Sequence, residues 1–429
     1  MKSFCRIAIV IAILFGLTLP LSAQARSKPA GDITKSATDT IRVGLDTSEI
    51  FSTIRVQSFS GNWRLTFMPG NQSPKTIGSV LASATTPIAT VSELLVEGED
   101  ASLMLVPKGI VARLSTEKDL EKGYKAVVIE GGELLSIEIP GHPPTILQGR
   151  IEIGNNGNSL TLVNTVKMHQ FIVSCVSKML LSNEPEVIKA MVIVVRTRLQ
   201  YLKEHAAHPD TDYEVCDTDH CLPFAGCGYN RELVDILTTM TGNISLMHKG
   251  KLILPRFHHT CGGRISSAKD VYGADGEPYH PAHDDVFEGK GSENCFHSPG
   301  FHWTIELQKF DILDFLSVAY AAGADRIYAS WEPEKIDANG RIFQVLLRGR
   351  KPKSVSGIDF LQKLQSHFGP NSIKSMKFNM DVLKRTIVFR GMGNGDGVGM
   401  CLSGADGLAK KSVKYDEILR FYYPGTELK

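Results

Sequence analysis

The apolar residues of this chain change their spacing near Met168, and this change limits the folds that the chain can adopt. Before it, apolar and polar side chains alternate, as at Trp63, Leu65 and Phe67, which is the period of a half-buried strand. Similar apolar runs lie at 102–107, 125–129, 134–139 and 160–163. Beyond it, apolar residues recur every three or four positions, as on a helix with one buried face. The sequence therefore predicts an α+β fold.

Pro185 marks the start of a long helix, because a proline in the first helical turn loses little by lacking an N–H. Asn183 is available as its cap. The buried stripe consists of Ile188, Met191, Val192, Val195, Leu199 and Leu202. Lys189 and Arg196 lie two turns apart on a different face, where we expect them to project together; on an isolated helix they would form a solvated face.

The beginning of the chain has the layout of a secretory signal peptide at 1–25. Basic residues precede an apolar run at 7–21, and small residues then offer a cleavage site. The run is shorter than the roughly 20 residues that a membrane-spanning helix needs, which favours cleavage over an uncleaved anchor. Residues 26–40 are small and polar and predict a linker. We expect an exported protein of the periplasm or cell envelope, with no stable membrane span after cleavage.

Charge gives little indication of a partner. The 429 residues carry a formal net charge of +1, so no global field favours nucleic acid or a membrane surface. Seven cysteines remain if the signal peptide is removed, and an odd number leaves at least one thiol free, metal-bound or paired with another chain.

The glycine-rich loop at 391–400 does not match either common phosphate-binding template. It lacks Gly-Lys-Ser/Thr, and its glycines recur at every second residue. We therefore interpret it as a tight loop in which glycine permits positive φ or close backbone approach.

A Cys/His cluster occupies an irregular segment after the long helix. Cys216, His220 and Cys221, with His208 upstream, offer the nitrogen and sulfur ligands that tetrahedral zinc takes. A disulfide between two of the cysteines, or simple thiols, would fit the same spacing. A separate segment at 258–264 places Cys261 beside two histidines, which raises a weaker hypothesis of a thiol nucleophile.

Several motifs in order resemble the stage II sporulation protein D / LytB family of peptidoglycan-remodelling proteins. The C-terminal part is similar to the family pattern G-H-G-V-G-M-S-Q-x-G-A, then Y-x-x-I-L and Y-Y-P-G-T, at 395–405, 415–419 and 422–426. Earlier blocks are similar to E-A-L-K-A-Q-A-V-A-A-R-T, to Y-D-V-C-x-T-x-H-C and to the segment around H-S-T-C-G-G, at 186–197, 213–221 and 257–273. The resemblance implies one domain over 41–428, β-rich at 41–165 and mixed, with a cleft, at 166–428.

The resemblance implies a lytic transglycosylase that cleaves bonds between N-acetylmuramic acid and N-acetylglucosamine in peptide-stripped strands. The family's catalytic Glu falls on Lys178 when the helices are aligned without a gap. A lysine lacks the geometry and the ordinary pKa of that acid. Glu184 is then the substitute acid, unless the protein has kept its groove and lost the cleavage. In the latter case it is a non-catalytic peptidoglycan-binding partner that recruits or stimulates a cell-wall amidase.

The resemblance also assigns roles to other side chains. Lys189 and Arg196 would support the acid or hold the lactyl carboxylate of the sugar. His259, Thr260 and Arg264 would line the glycan groove. The metal ligands implied by the family are His208, Cys216, His220 and Cys221, and the expected ion is a structural zinc. Asp396 and Cys401 depart from the family pattern, which has His and Ser at these positions.

Overall fold

The structure is a computed structural model. The residues that it describes are 39–45, 54–58, 63–69, 92–96, 102–105, 110–113, 119–122, 124–131, 134–155, 160–227, 232–275, 277–289, 291–320 and 328–429. The predicted signal peptide and all but the last two residues of the predicted linker lie outside the described residues. Thr40, the last residue of that linker, already belongs to the first strand.

The described elements before the first helix are all strands. They are β1 Thr40–Leu45, β2 Ile54–Ser58, β3 Trp63–Pro69, β4 Ser92–Val96, β5 Ser102–Leu105, β6 Ile110–Arg113, β7 Asp119–Lys122, β8 Tyr124–Gly131, β9 Leu135–Glu138, β10 Thr145–Leu147, β11 Arg150–Asn155 and β12 Leu160–Lys167. Each apolar run that predicted a strand overlaps one of these elements.

Helices and short strands alternate after β12. They are α1 Met168–Met179, α2 Pro185–Glu204, β13 Val215–Cys216, α3 Glu232–Met240, β14 Leu246–His248, β15 Lys251–Leu252, β16 Phe257–His258, β17 Arg264–Ile265, α4 Ala268–Tyr272, β18 His283–Asp284, β19 His302–Gln308, α5 Lys309–Tyr320, β20 Tyr328–Ile336, β21 Ile342–Gly349, β22 Lys353–Ser356, α6 Gly357–Phe368, β23 Phe378–Val382, β24 Thr386–Met392, β25 Met400–Cys401, α7 Leu402–Lys410, α8 Tyr415–Tyr422 and β26 Glu427–Leu428. The predicted α+β class is confirmed.

The predicted start of the long helix is correct, but the residue predicted to cap it is wrong. Pro185 is the first residue of α2, but the residue that precedes the helix is Glu184, with extended φ and ψ and no side-chain cap. Asn183 lies one position too early to serve as that cap. The turn between α1 and α2 therefore ends at Glu184, whose backbone is extended.

A seven-stranded sheet supports one side of the helices. Its order is β13-β1-β12-β11-β8-β3-β4, antiparallel throughout except that β13 runs parallel to β1. In β1, Ile41 and Val43 are fully buried, as the alternating pattern of a half-buried strand requires. α1 follows β12 directly, so the sheet fixes the start of the helical part.

α2 is the central helix of the larger core. Its apolar stripe is buried, including Ile188, Val192 and Val195, and it packs against α1, α3, α7 and α8. Burial of an aliphatic side chain contributes roughly 1.5–3 kcal/mol, so this stripe is a main source of stability. The turn between α1 and α2 is thereby held on a rigid support.

A second core lies between residues 302 and 392. The segment begins with β19 and ends with β24, which pair with each other from His302↔Met392 to Gln308↔Thr386. α5 and α6 cover the two three-stranded sheets, and Phe315, Phe360 and Phe389 are fully buried between them. The segment therefore leaves and re-enters the larger core at one place, next to the glycine-rich loop.

The loop that follows β16 and the glycine-rich loop at 391–400, here called the two motif-bearing loops, lie against each other. β16 pairs in parallel with β25, so Phe257 faces Met400 and His258 faces Cys401. Bridges at Thr260↔Asn394 and Ser266↔Val398 extend the contact on both sides. Segments separated by about 140 residues in sequence are in this way brought into one structure.

Glu186 links α2 to α8, and we predict that Glu186→Gln destabilises the protein. One carboxylate oxygen accepts from the Tyr415 N–H at 3.0 Å, and the other pairs with Lys189 at 3.0 Å. Burial raises the pKa of Glu186, but these two partners outweigh it and hold the pKa below its usual value. We expect a loss of about 1 kcal/mol at neutral pH, as for a charge-assisted hydrogen bond.

The difference between Glu186→Gln and the parent should shrink with acid. A carboxylate whose pKa is lowered by folding stabilises the protein above its unfolded pKa, and this contribution is lost as the pH falls through the folded value. Urea denaturation at pH 7 and below pH 4.5 would measure this. Glu204→Gln, at an exposed position of the same helix, is the matched control. Equal stabilities of the parent and Glu186→Gln at pH 7 would contradict the prediction.

Candidate functional site

The turn between α1 and α2 is the centre of the candidate site. Lys178 lies in the last turn of α1, is exposed, and donates from Nζ to the Phe224 carbonyl at 3.2 Å. The position at which the resemblance implies the catalytic acid is therefore occupied by a lysine, and its Nζ is bound to a backbone carbonyl. It places no carboxylate at the surface of the turn.

Glu184 is the acidic residue at the other end of this turn. It is half-buried, and its backbone N–H donates to Ser182 Oγ at 3.3 Å. In the part of the chain that the structure describes, its carboxylate has neither a hydrogen bond nor an ion pair. A half-buried carboxylate without a partner remains available to a ligand.

Asp406 of α7 also lies at this turn, and its carboxylate is fully engaged. It accepts from the Ser182 hydroxyl, from His297 Nε2 at 3.2 Å and from Lys410 Nζ at 2.7 Å. Burial raises the pKa of Asp406, but the bonds from Lys410 and Ser182 outweigh it and lower the pKa below its usual value. Asp406 is thus held as a carboxylate that orients its neighbours. The role of Asp406 was not predicted, although this residue directly follows the Gly404-Ala405 motif.

Gly407 allows the loop that carries His297 to approach α7. A Cβ at this position would lie 2.2 Å from the Asn294 carbonyl oxygen and 2.9 Å from His297 Cε1. No side chain fits there without moving the loop. The glycine therefore fixes the contact of His297 with Asp406.

Lys189 and Arg196 do not project together as predicted. Lys189 is half-buried against Glu186, with its ammonium 5.8 Å from the centroid of the Tyr415 ring. The Arg196 residue is only 6% exposed, and its guanidinium donates to the Ile244 and Thr238 carbonyls and to Thr241 Oγ1. Of the two roles expected for Arg196, support of the acid or binding of the lactyl carboxylate, the burial of its donors argues against the second.

Thr260 is also not a groove residue. It is fully buried, and its hydroxyl lies 2.9 Å from Ser298 Oγ, 2.8 Å from Ser403 Oγ and 2.9 Å from His259 Nδ1. The hydroxyl cluster joins three segments of the core. The sequence pattern placed Thr260 beside His259 but gave no sign that the backbone turns it inward.

His259 and Arg264 remain nearer to the surface. Burial, followed by the charge of Lys374, lowers the pKa of His259 below its usual value, which favours the neutral imidazole. Arg264 is partly exposed and pairs with Asp284 at 2.6 Å. Both side chains therefore keep polar surface that a ligand could reach.

The hypothesis of a thiol nucleophile at Cys261 is wrong. The side chain is fully buried, and its sulfur lies beside Asp285 and Cys295 rather than beside a histidine. Burial and the nearby Asp285 charge raise the pKa of the Cys261 thiol, and the buried sulfur has no access to substrate.

The glycine-rich loop is the tight turn that its composition predicts. Gly393, Gly395, Gly397 and Gly399 all have positive φ, between 73° and 108°. Asp396, at the position where the family has His, accepts from the Val398 N–H at 3.0 Å and from the Tyr272 hydroxyl. Its carboxylate therefore stabilises the loop from within.

The four predicted metal ligands are brought together. His208 Nε2 lies 3.2 Å from Cys221 Sγ, and His220 Nδ1 lies 3.7 Å from Cys216 Sγ and 3.4 Å from Cys221 Sγ. All four ligand atoms lie within 4.8 Å of one another. Zinc–nitrogen bonds of about 2.0 Å and zinc–sulfur bonds of about 2.3 Å give tetrahedral edges of roughly 3.3–3.8 Å. The donor set and its spacing fit zinc.

Both cysteines of this cluster are free thiols. Hydrogen bonds to the Cys216 sulfur, first from Cys221 and then from Thr218 and His220, outweigh burial and lower the pKa of Cys216 below its usual value. A sulfur that attracts three donors is electrostatically suited to bind as a thiolate.

Comparisons with known proteins agree with the motifs. Residues 156–243, which contain α1, α2 and the Cys/His cluster, match the sequence model of the Stage II sporulation protein (SpoIID) family. An uncharacterized protein of Brachyspira hyodysenteriae is 25% identical over 276 residues, which are 63% of this chain and 69% of that protein. The stage II sporulation protein D of Bacillus amyloliquefaciens is 23% identical over 357 residues, which are 78% of this chain and 94% of that protein.

The structure is a mixed α+β protein in which residues 156–243 are similar to the sporulation family. The resemblance drawn from the motifs to the stage II sporulation protein D family is confirmed. This similarity indicates a role connected with the cell wall. Among the described residues, no helix has both the length and the apolar character needed to cross a membrane.

Because Arg196 is buried, we predict that its side chain contributes to the stability of the fold. Arg196→Met would remove three hydrogen bonds from the interior. The Ile244 carbonyl would lose its donor, whereas the Thr238 carbonyl and the Thr241 hydroxyl would keep the bond between them. A hydrogen bond to a charged group contributes roughly 1.5–3 kcal/mol. We expect the free energy of unfolding to fall by about 3 kcal/mol, measured by urea denaturation. Arg264→Met, at a partly exposed ion pair, should cost less than about 1 kcal/mol. Equal losses in the two variants would contradict the structural role.

Proposed function

We propose that the protein is exported to the cell envelope and cleaves glycan strands of peptidoglycan as a lytic transglycosylase, with Glu184 as the acid. One observation carries the proposal: Glu184 is half-buried at the α1–α2 turn, and its carboxylate has no partner among the described residues. The nearest alternative, Asp406, is bound by Ser182, His297 and Lys410.

A single carboxylic acid is sufficient for this reaction. The protonated acid gives its proton to the glycosidic oxygen between N-acetylmuramic acid and N-acetylglucosamine, and the bond to the anomeric carbon breaks. The resulting carboxylate then takes the proton of the muramic 6-hydroxyl, whose oxygen closes the anhydro ring. No water attacks, so the second carboxylate of a hydrolytic glycosidase is not required. The acid is regenerated at the end of the cycle.

Glu184→Gln tests this assignment. The mature protein should release anhydro-muramic ends from purified peptide-stripped glycan strands, detected by mass spectrometry. We expect the variant to lose about 100-fold or more of this rate, as for removal of a general acid. The control is Glu204→Gln, an isosteric change at an exposed position at the far end of α2. Full activity of Glu184→Gln would remove Glu184 from the mechanism.

The second candidate is a peptidoglycan-binding partner that does not cleave and that recruits or stimulates an amidase. The observation that favours it is Lys178, an ammonium at the family's acid position that is bound to the Phe224 carbonyl. In this case the parent yields no anhydro ends but co-sediments with glycan strands, and Lys178→Glu gains cleavage. Absence of both cleavage and binding would exclude the two candidates together.

We also propose that His208, Cys216, His220 and Cys221 hold a structural zinc ion. The support is a set of two sulfur and two nitrogen donors within 4.8 Å of one another. Four protein ligands leave no open position for substrate, which is the arrangement of a structural site. Cys216 belongs to β13, so the ion would tie the segment after α2 to the large sheet.

The double variant Cys216→Ser/Cys221→Ser should lose one zinc ion per chain and become less stable. Because zinc binds the folded state, it stabilises by about 4 kcal/mol when its free concentration is 1,000 times its Kd. Zinc content and thermal denaturation would be measured together. Cys175→Ser is the control, since this buried thiol belongs to neither group of metal-competent side chains. An unchanged zinc content in the double variant would contradict the site.

A further inference from the structure

Four side chains that no motif groups together meet in the interior of the larger core. They are Cys261 from the loop after β16, Asp285 and Cys295 from the segment after β18, and Cys401 at the end of β25. The exposed fractions of all four residues are 0%. One ligand atom from each lies within 4.8 Å of the other three.

The distances suit coordination of one ion by all four side chains. Cys261 Sγ lies 3.3 Å from Cys295 Sγ and 3.1 Å from Asp285 Oδ2. A tetrahedral zinc ion with bonds of about 2.3 Å to sulfur and 2.0–2.2 Å to oxygen has ligand–ligand edges of roughly 3.5–3.8 Å. Shifts of a few tenths of an ångström would therefore admit the ion.

Neighbouring hydrogen-bond donors hold the Asp285 carboxylate and the cysteine sulfurs in position. The other oxygen of Asp285, Oδ1, accepts from the Tyr422 hydroxyl at 2.8 Å and from Asn294 Nδ2 at 3.1 Å, which leaves Oδ2 facing the sulfurs. Backbone N–H groups of Cys261 and Gly404 each point at Cys401 Sγ at 3.3 Å, and that of Gly263 points at Cys261 Sγ at 3.3 Å. Donors aimed at sulfur favour the thiolate form that binds metal.

The charge balance of the interior also calls for a cation. Asp285 is buried, and in the described part of the chain no lysine or arginine forms an ion pair with it. A buried carboxylate costs several kcal/mol unless it is protonated, paired or bound to a metal, and a metal ion would let Asp285 remain ionised. Two cations lie just behind the cluster: Arg341 donates to the Cys261 carbonyl at 2.9 Å, and Lys377 donates to the Gly262 carbonyl at 2.7 Å. They would offset the net negative charge of three thiolates and a carboxylate around a divalent ion.

We infer that Cys261, Asp285, Cys295 and Cys401 form a second, fully buried zinc site that locks the two motif-bearing loops together. The three thiols bind as thiolates and release their protons to solvent, as metal ligation by cysteine requires. With three sulfurs and one oxygen the site is closed and structural. The inference does not depend on glycan cleavage or on the Cys/His site.

Measuring the zinc content of the full chain tests the inference. Variants that remove the Cys/His site distinguish zinc bound there from zinc bound at the buried Cys/Asp site. The double variant Cys216→Ser/Cys221→Ser removes the first site only, so it should retain one zinc ion per chain by elemental mass spectrometry. The triple variant with Cys401→Ser added should retain none. Cys175→Ser, the buried thiol outside both clusters, should hold as much zinc as the parent. If the double variant holds no zinc, the second site is excluded, whatever the parent holds.

Cobalt gives a readout that does not require the triple variant to fold. The double variant, reconstituted with Co²⁺ alone, should show visible absorption of a tetrahedral centre and charge-transfer bands from sulfur. Asp285→Asn in the same background should keep the three sulfurs but shift the visible bands. Intact mass under denaturing, metal-free conditions then identifies the alternative. A mass lower by two hydrogens, with no cobalt bound, would mean a disulfide within the cluster and would overturn the inference.

Discussion

The parallel pairing of β16 with β25 is the contact on which the site region depends. It joins the segment around Cys261 to the glycine-rich loop, and the backbones approach so closely that side chains are excluded on one side. A Cβ on Gly399 would lie 2.0 Å from the Arg256 carbonyl oxygen, and one on Gly393 would lie 2.7 Å from that of Thr260. Both glycines also need positive φ. The spacing of glycine at every second residue thus follows from two strands in contact, not from a bound phosphate.

This contact also decides which side chains face inward. Because β16 and β25 are in register, His258 and Cys401 are both buried at the pairing, and Thr260 meets Ser298 and Ser403 in a hydroxyl cluster. α7 then starts at Leu402, directly after the strand. Its Gly404 lies so near the Tyr422 hydroxyl that a Cβ would come within 2.2 Å. The Gly-Ala motif therefore serves close packing of α7, and this packing carries Asp406 to the α1–α2 turn.

Much of the fold follows from the sequence because periodicity reports which face of an element is buried. The strands near Trp63 and Leu160 and the helix that begins at Pro185 were all predicted from such patterns. Periodicity does not report which neighbour lies on the other side. The family resemblance placed Arg196 in a cleft, but the end of α3 and the residues after it cover this side chain. Thr260 was misplaced for the same reason, since its partners lie more than 35 residues away.

The cysteines show where sequence reasoning could have gone further. The sequence shows a Cys at position 401, where the family has Ser, and it leaves an odd number of cysteines if the predicted signal peptide is removed. Together they suggest that Cys401 has partners of its own, and the structure supplies Cys261, Cys295 and Asp285. Three thiols whose sulfur atoms lie within 4.8 Å of one another can form a disulfide, with one thiol left over, or a thiolate–metal centre. Only the second uses the third sulfur and gives Asp285 a cation as its partner, which is why the arrangement favours metal.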